Sequence, residues 1–227
     1  MNVVIKNTRA RTVIKYVSIA AMIAVAIAGG VLWDGRHYAS ATFLLVTLSL
    51  VLFLTGFDRR TTGTRRMVLV AVMTALSVAG RLIPVVKPTT ALTILAGMYL
   101  GPQAGFLTGA LSAVISNFYF GQGPWTPFQM LAWGLCGLFA GYLAKPLRNR
   151  AVLISYGALT GVLFSAVMDV WTVMWSTDSP SLALYGAAML TALPYTVLYC
   201  LSNAAFLLLL ARPIGSKLER IKIKYGV

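Results

Sequence analysis

Asn117, Tyr119, Gln122, Trp125, Gln129, Trp133, Asp169, Thr172 and Trp175 are the side chains whose types and spacing suit chemistry at a site. Asn117 is followed by Phe118-Tyr119-Phe120-Gly121-Gln122-Gly123-Pro124-Trp125-Thr126-Pro127, and Gln129 comes two residues later. On a helix, Trp133 sits one turn beyond Gln129. Trp171 and Trp175, four apart, share a face, with Asp169 and Thr172, three apart, beside it. Such a set offers a few hydrogen-bonding groups among flat aromatics, the usual make-up of a small-molecule site. The same residues also admit plainer roles. Trp and Tyr anchor helices at bilayer interfaces, and Asn117, Gln129 and Asn203 can hydrogen-bond neighbouring helices. An acid such as Asp169 needs a partner at membrane depth, which Arg81 or Lys87 can supply.

Other chemistries lack their residues. There is no G-x-x-x-x-G-K-[ST] loop to cradle a nucleotide, no His-Glu-x-x-His and no Gly-x-Ser-x-Gly. His37 is the only histidine, and Cys136 and Cys200 lie inside apolar runs without disulfide or zinc spacing. Of the 5 acidic residues only Asp169 sits clearly within an apolar stretch, which disfavours a proton relay built from several carboxylates. The expectation is a binding protein with no catalytic residue, metal or cofactor.

The elements that position these groups follow from composition. The chain has 227 residues, of which 59% are hydrophobic and only 11% charged. Soluble domains are about 45–50% apolar and about 25% charged, so this chain cannot clothe a globule in polar groups. Its net charge of +14 is clustered between apolar runs, as at the ends of membrane spans, and does not point to nucleic acid. With about 20 residues needed per crossing, the sequence predicts an all-α polytopic membrane protein. Its spans lie near 13–33, 39–57, 67–83, 89–100, 102–118, 127–143, 151–175 and 184–211. The fourth is short, about 18 Å at 1.5 Å per residue, which suits a broken helix covered by protein.

Both termini are expected in the cytoplasm. That places Lys6, Arg9, Arg11 and Lys15, then Arg59, Arg60, Arg65 and Arg66, on the inside. Lys145, Arg148 and Arg150 join them, with Arg212, Lys217, Arg220, Lys222 and Lys224, while Arg36, Arg81 and Lys87 are left outside. The first apolar run is read as a retained helix, because it is longer than a signal-peptide core and lacks a clear small-residue cleavage site. The polar segment 57–66 divides a two-helix N-terminal part with its basic linker (1–66) from a six-helix core with a basic tail (67–227). Gly97, Gly101, Gly105 and Gly109 recur every four residues, Gly137 pairs with Gly141, and Gly157 with Gly161. Small residues at this spacing let helices approach closely in lipid. Ala71, Ala75 and Ala79 form a like stripe, suited to internal packing or to another membrane protein.

The run from Lys87 to Gly141 resembles the substrate-binding S components of energy-coupling factor (ECF) vitamin transporters. Gly-Pro-x-Ala-Gly at 101–105 and Gly-Gln-Gly-Pro-Trp-Thr-Pro-Phe-Gln at 121–129 carry the likeness, which extends over about 67–211. The resemblance implies a multi-pass protein of a prokaryotic plasma membrane that captures a vitamin from outside. It would dock on a transmembrane coupling subunit driven by two cytoplasmic ATPases, and topple to release its cargo. The family's Ala-x-x-x-Ala docking motif matches Ala71 and Ala75, or Ala75 and Ala79. The family's substrate site, in the outer loops and outer helix halves, matches the residues named first. The Gln-Gly-Pro-Trp-Thr-Pro patch is most similar to cobalamin-associated members, with riboflavin, pantothenate and queuosine as further options. The two additional N-terminal helices depart from the pattern. A stand-alone secondary carrier using Asp169 is the competing expectation, and a membrane-embedded enzyme is the least favoured.

Overall fold

The computed structural model describes residues 8–31, 38–55, 63–177 and 180–225. The charges expected at Lys6, Arg36, Arg59 and Arg60, together with His37 and segment 57–62, lie outside the described residues. Eight α-helices and no strand occur among them: α1 (Thr8–Val31), α2 (Tyr38–Thr55), α3 (Gly63–Arg81), α4 (Thr89–Leu100), α5 (Pro102–Phe120), α6 (Thr126–Tyr142), α7 (Arg150–Ser176) and α8 (Leu182–Tyr225). Three of these, α3, α7 and α8, are each long and apolar enough to cross a membrane.

Local chemistry sets the boundaries. The N–H of Gly101 closes α4 on the carbonyl of Gly97 at 2.9 Å, and Pro102 opens α5 immediately. A one-residue elbow requires Gly101 at φ 98°, a conformation open to glycine and little else. Asn149 caps α7, its Oδ1 accepting from the N–H of Ala151 at 2.9 Å and of Val152 at 3.4 Å. The elbow lets the 12-residue α4 start and end inside protein, as its length demands.

The kernel of the bundle is α4, α5 and α6 in backbone contact. A Cβ on Gly105 would stand 2.4 Å from the carbonyl oxygen of Gly137, and one on Gly137 would stand 2.3 Å from that of Gly105. Neither neighbour is a movable side chain. Gly105→Ala is therefore expected to destabilise the protein by about 1–3 kcal/mol, read as a lower melting temperature in detergent; an unchanged melting temperature would show that α5 and α6 can part. The glycine stripes are thus packing devices. Gly157 likewise accommodates Leu207, and Gly161 accommodates Cys200, where α7 meets α8.

Around this kernel α3 leans on α4 and α5, α8 on α7 and α4. α1 and α2 pair with each other, α2 lying against α5 and α6, and α1 reaching α6 and α7. Met22, Leu45 and Leu52 thereby join Phe106, Met130, Trp133 and Phe164 in one apolar cluster. Ala71, Ala75 and Ala79 remain exposed on α3, with Val68, Val72 and Leu76 around them.

One element outruns its expected bounds. α8 has 44 residues and continues past 211 to Tyr225 despite Pro194 and Pro213 within it. A hydropathy ruler stops at Arg212 because charges begin there. Beyond it, Ile214, Leu218 and Ile221 recur at helical spacing and keep one stripe apolar. Leu218 is buried, Gly215 rests on Tyr99, and the Arg65 guanidinium donates to the carbonyl of Tyr225 at 2.9 Å. The tail of α8 thus lies across one end of the bundle, the end that carries Arg65, Lys145, Arg148, Arg150 and Arg212.

Candidate functional site

The opposite end, where α3 and α5 finish and α6 begins, gathers the amides. Asn117 is fully buried. Its Oδ1 accepts from Arg81 Nη1 at 2.6 Å, and its Nδ2 donates to Thr126 Oγ1 and to Gln129 Oε1, both at 2.9 Å. The Thr126 hydroxyl donates in turn to Gln122 Oε1 at 3.0 Å, and Gln122 Nε2 donates to the carbonyl of Val114 at 2.9 Å. Three segments distant in sequence are therefore tied through one asparagine. The network is internally satisfied, which makes it a rigid floor and leaves few of its donors free.

Arg81 is the centre of that floor. Only 9% exposed, it also donates to the Ser116 hydroxyl, and its guanidinium lies 4.9 Å from the ring centroids of both Trp133 and Phe120. Its partners are all neutral: among the described residues no carboxylate pairs with it. The expected pairing of Asp169 with Arg81 or Lys87 is not formed, since Arg81 is turned toward α5 and α6. Lys87, in the loop between α3 and α4, exchanges backbone hydrogen bonds with the Ser202 hydroxyl and sets its ammonium 5.6 Å from the Phe120 ring. Burial, and secondarily the charge of Arg81, holds that ammonium below the usual lysine range.

Aromatic rings continue the floor into a wall. Trp133 stacks on Phe164 at 5.2 Å, Trp125 meets Trp171 edge-on at 5.9 Å, and Trp171 stacks with Trp175 at 6.4 Å. Asp169 is 6% exposed, and both its Oδ2 and the indole N–H of Trp171 are buried without a hydrogen-bond partner. Unpaired buried polar atoms are costly; Asp169 and Trp171, two positions apart on α7, project from different faces of that helix, and Trp171 is the one in the ring contacts. Two of the residues named from the sequence stand apart. Tyr119 is 77% exposed and meets Phe120 edge-on, and Thr172 is exposed, spending its hydroxyl on the carbonyl of Met168. Trp175 is 58% exposed at the rim. Asn203 bonds Thr160 at 3.3 Å, the interhelical role open to it from the start.

Sequence reasoning passed over Ser116 and Thr126 and gave Arg81 a different partner. Ser116 lies one turn after Ser112, and Thr126 sits between Pro124 and Pro127, but neither pattern points to Arg81. The contact spans 36 positions, beyond any local spacing rule.

The whole arrangement sets hydrogen-bond donors and acceptors beside indole faces. A family model described as "ECF-type riboflavin transporter, S component" matches residues 61–220, more than two thirds of the chain. No curated protein and no solved structure matches.

Proposed function

From the premise that the chain belongs to the ECF-type riboflavin transporter S component family, and so is a substrate-binding subunit of a multi-pass membrane transporter, we propose that it captures riboflavin. The family's name favours a flavin over cobalamin, the cargo suggested by the 122–127 patch alone. The observation that carries the reading is the run of ring contacts from Trp125 to Trp171 to Trp175, with the Trp171 N–H buried and unpartnered. Flat rings bury large areas against indoles, and the unpartnered Trp171 N–H offers a donor to a ring edge.

The site end faces outward in this reading and the basic end inward, in keeping with the excess of Lys and Arg there. Energy comes from a membrane coupling subunit and its ATPases, as the family implies. The exposed stripe Ala71, Ala75 and Ala79 is the docking face. The family match beginning at 61 supports treating the first two helices as an addition to a six-helix core.

Small molecules released from the purified protein test the cargo. Riboflavin is expected at near one per chain, with its fluorescence quenched by the tryptophans. Recovery of cobalamin, pantothenate or queuosine instead would reassign the cargo and keep the capture role. No released molecule and no saturable binding of any of them would sink the reading. Uptake should require co-expressed coupling subunit and ATPases; uptake by this chain alone would make it a carrier in its own right.

A further inference from the structure

A concavity lies at the basic end, far from the amide floor. It has a volume of about 420 Å3 and sits between α4, α7 and α8. Its two halves differ in chemistry. Leu153, Ile154 and Leu208 form an apolar side, and Leu208 is exposed on the flank of the bundle. Arg148, Arg150 and Arg212 line the other side with Glu219. Arg148 and Glu219 pair at 3.3 Å. Arg150 and Arg212 engage no acceptor on the protein among the described residues, so the groove keeps two uncompensated guanidinium groups at the mouth of a greasy channel.

That combination matches one class of molecule. Arginine presents a planar fork to phosphate oxygens, and basic pockets between transmembrane helices take anionic lipid headgroups. A soluble phosphate compound would use the arginines but gain nothing from the apolar side, which runs from buried Leu153 through Ile154 to Leu208 on the exposed flank. We propose that this groove binds an anionic phospholipid, its phosphodiester on Arg150 and Arg212 and an acyl chain along the three aliphatic residues. The site is independent of the vitamin site and of which vitamin is bound.

Native mass spectrometry of the full-length protein, titrated with phosphatidylglycerol or phosphatidylcholine, tests it. Phosphatidylglycerol is expected to be retained preferentially, and Arg150→Gln/Arg212→Gln to weaken it at least about tenfold. Lys145→Gln/Lys217→Gln removes the same charge from exposed positions outside the groove and should leave lipid retention intact. All four positions are exposed, so melting temperature and vitamin affinity should hold in both variants. Equal losses from the two pairs would reduce the effect to diffuse attraction and overturn the site. Displacement of the lipid by inorganic phosphate would overturn the lipid assignment, as would the absence of any preference for phosphatidylglycerol.

Discussion

Ala75→Trp is expected to leave vitamin affinity within about twofold while lowering uptake by more than about tenfold. Ala75 sits midway along the exposed stripe of α3, with Ala71 and Ala79 one turn to either side. Helices in lipid associate through close backbone approach, because lipid already satisfies apolar surface and supplies no hydrophobic drive between them. An indole at the centre of the stripe would hold a partner's backbone away without entering this bundle's own core. The amide floor is reached from α3 only through Arg81, at the far end of the helix, so binding should be spared. Titration of purified protein and uptake in the complete complex give the two readouts. Leu159→Trp, at another exposed position on α7, serves as the control and should transport normally. If Ala75→Trp transports as well as the unaltered protein, α3 is not the docking face.

Asn117→Leu is expected to cost about 3 kcal/mol in stability and to lose most vitamin affinity. Leucine is close to asparagine in size, so little cavity forms. The loss is electrostatic: Arg81 keeps only the Ser116 hydroxyl as acceptor, and Gln129 Oε1 loses its donor. Single interhelical hydrogen bonds in membranes average only about 0.6 kcal/mol. Asn117 holds three groups at once, one of them a buried cation, and stranding a charge is the larger effect. The diagnostic variant is the double one. Arg81→Leu/Asn117→Leu should be less damaging than the sum of its parts, since removing both partners leaves no orphaned charge. Additive losses in thermal unfolding would mean that Arg81 and Asn117 are not coupled.

The legible parts of the molecule were those governed by local rules. α4 occupies 89–100 as read, because prolines and Gly101 bracket it, and the four-residue glycine rhythm marks the α4, α5 and α6 contacts. Asn117, Gln122 and Gln129 could be grouped because a short polar loop joins their helices. Asp169 was recognised as a charge needing a partner and Arg81 as one candidate, but the direction in which each turns depends on helix rotation within the bundle. Rotation is set by tertiary packing, which a spacing rule does not encode. The tail of α8 was missed for a different reason. Its stability comes from Leu218, Tyr99 and Arg65 across the base of the bundle, not from the length of an apolar run.

The first two helices are bound into the body of the bundle. Met22, Leu45 and Leu52 are sunk into the same cluster as Phe106 and Trp133, so any displacement of the core in the bilayer is a displacement of all eight helices as one unit.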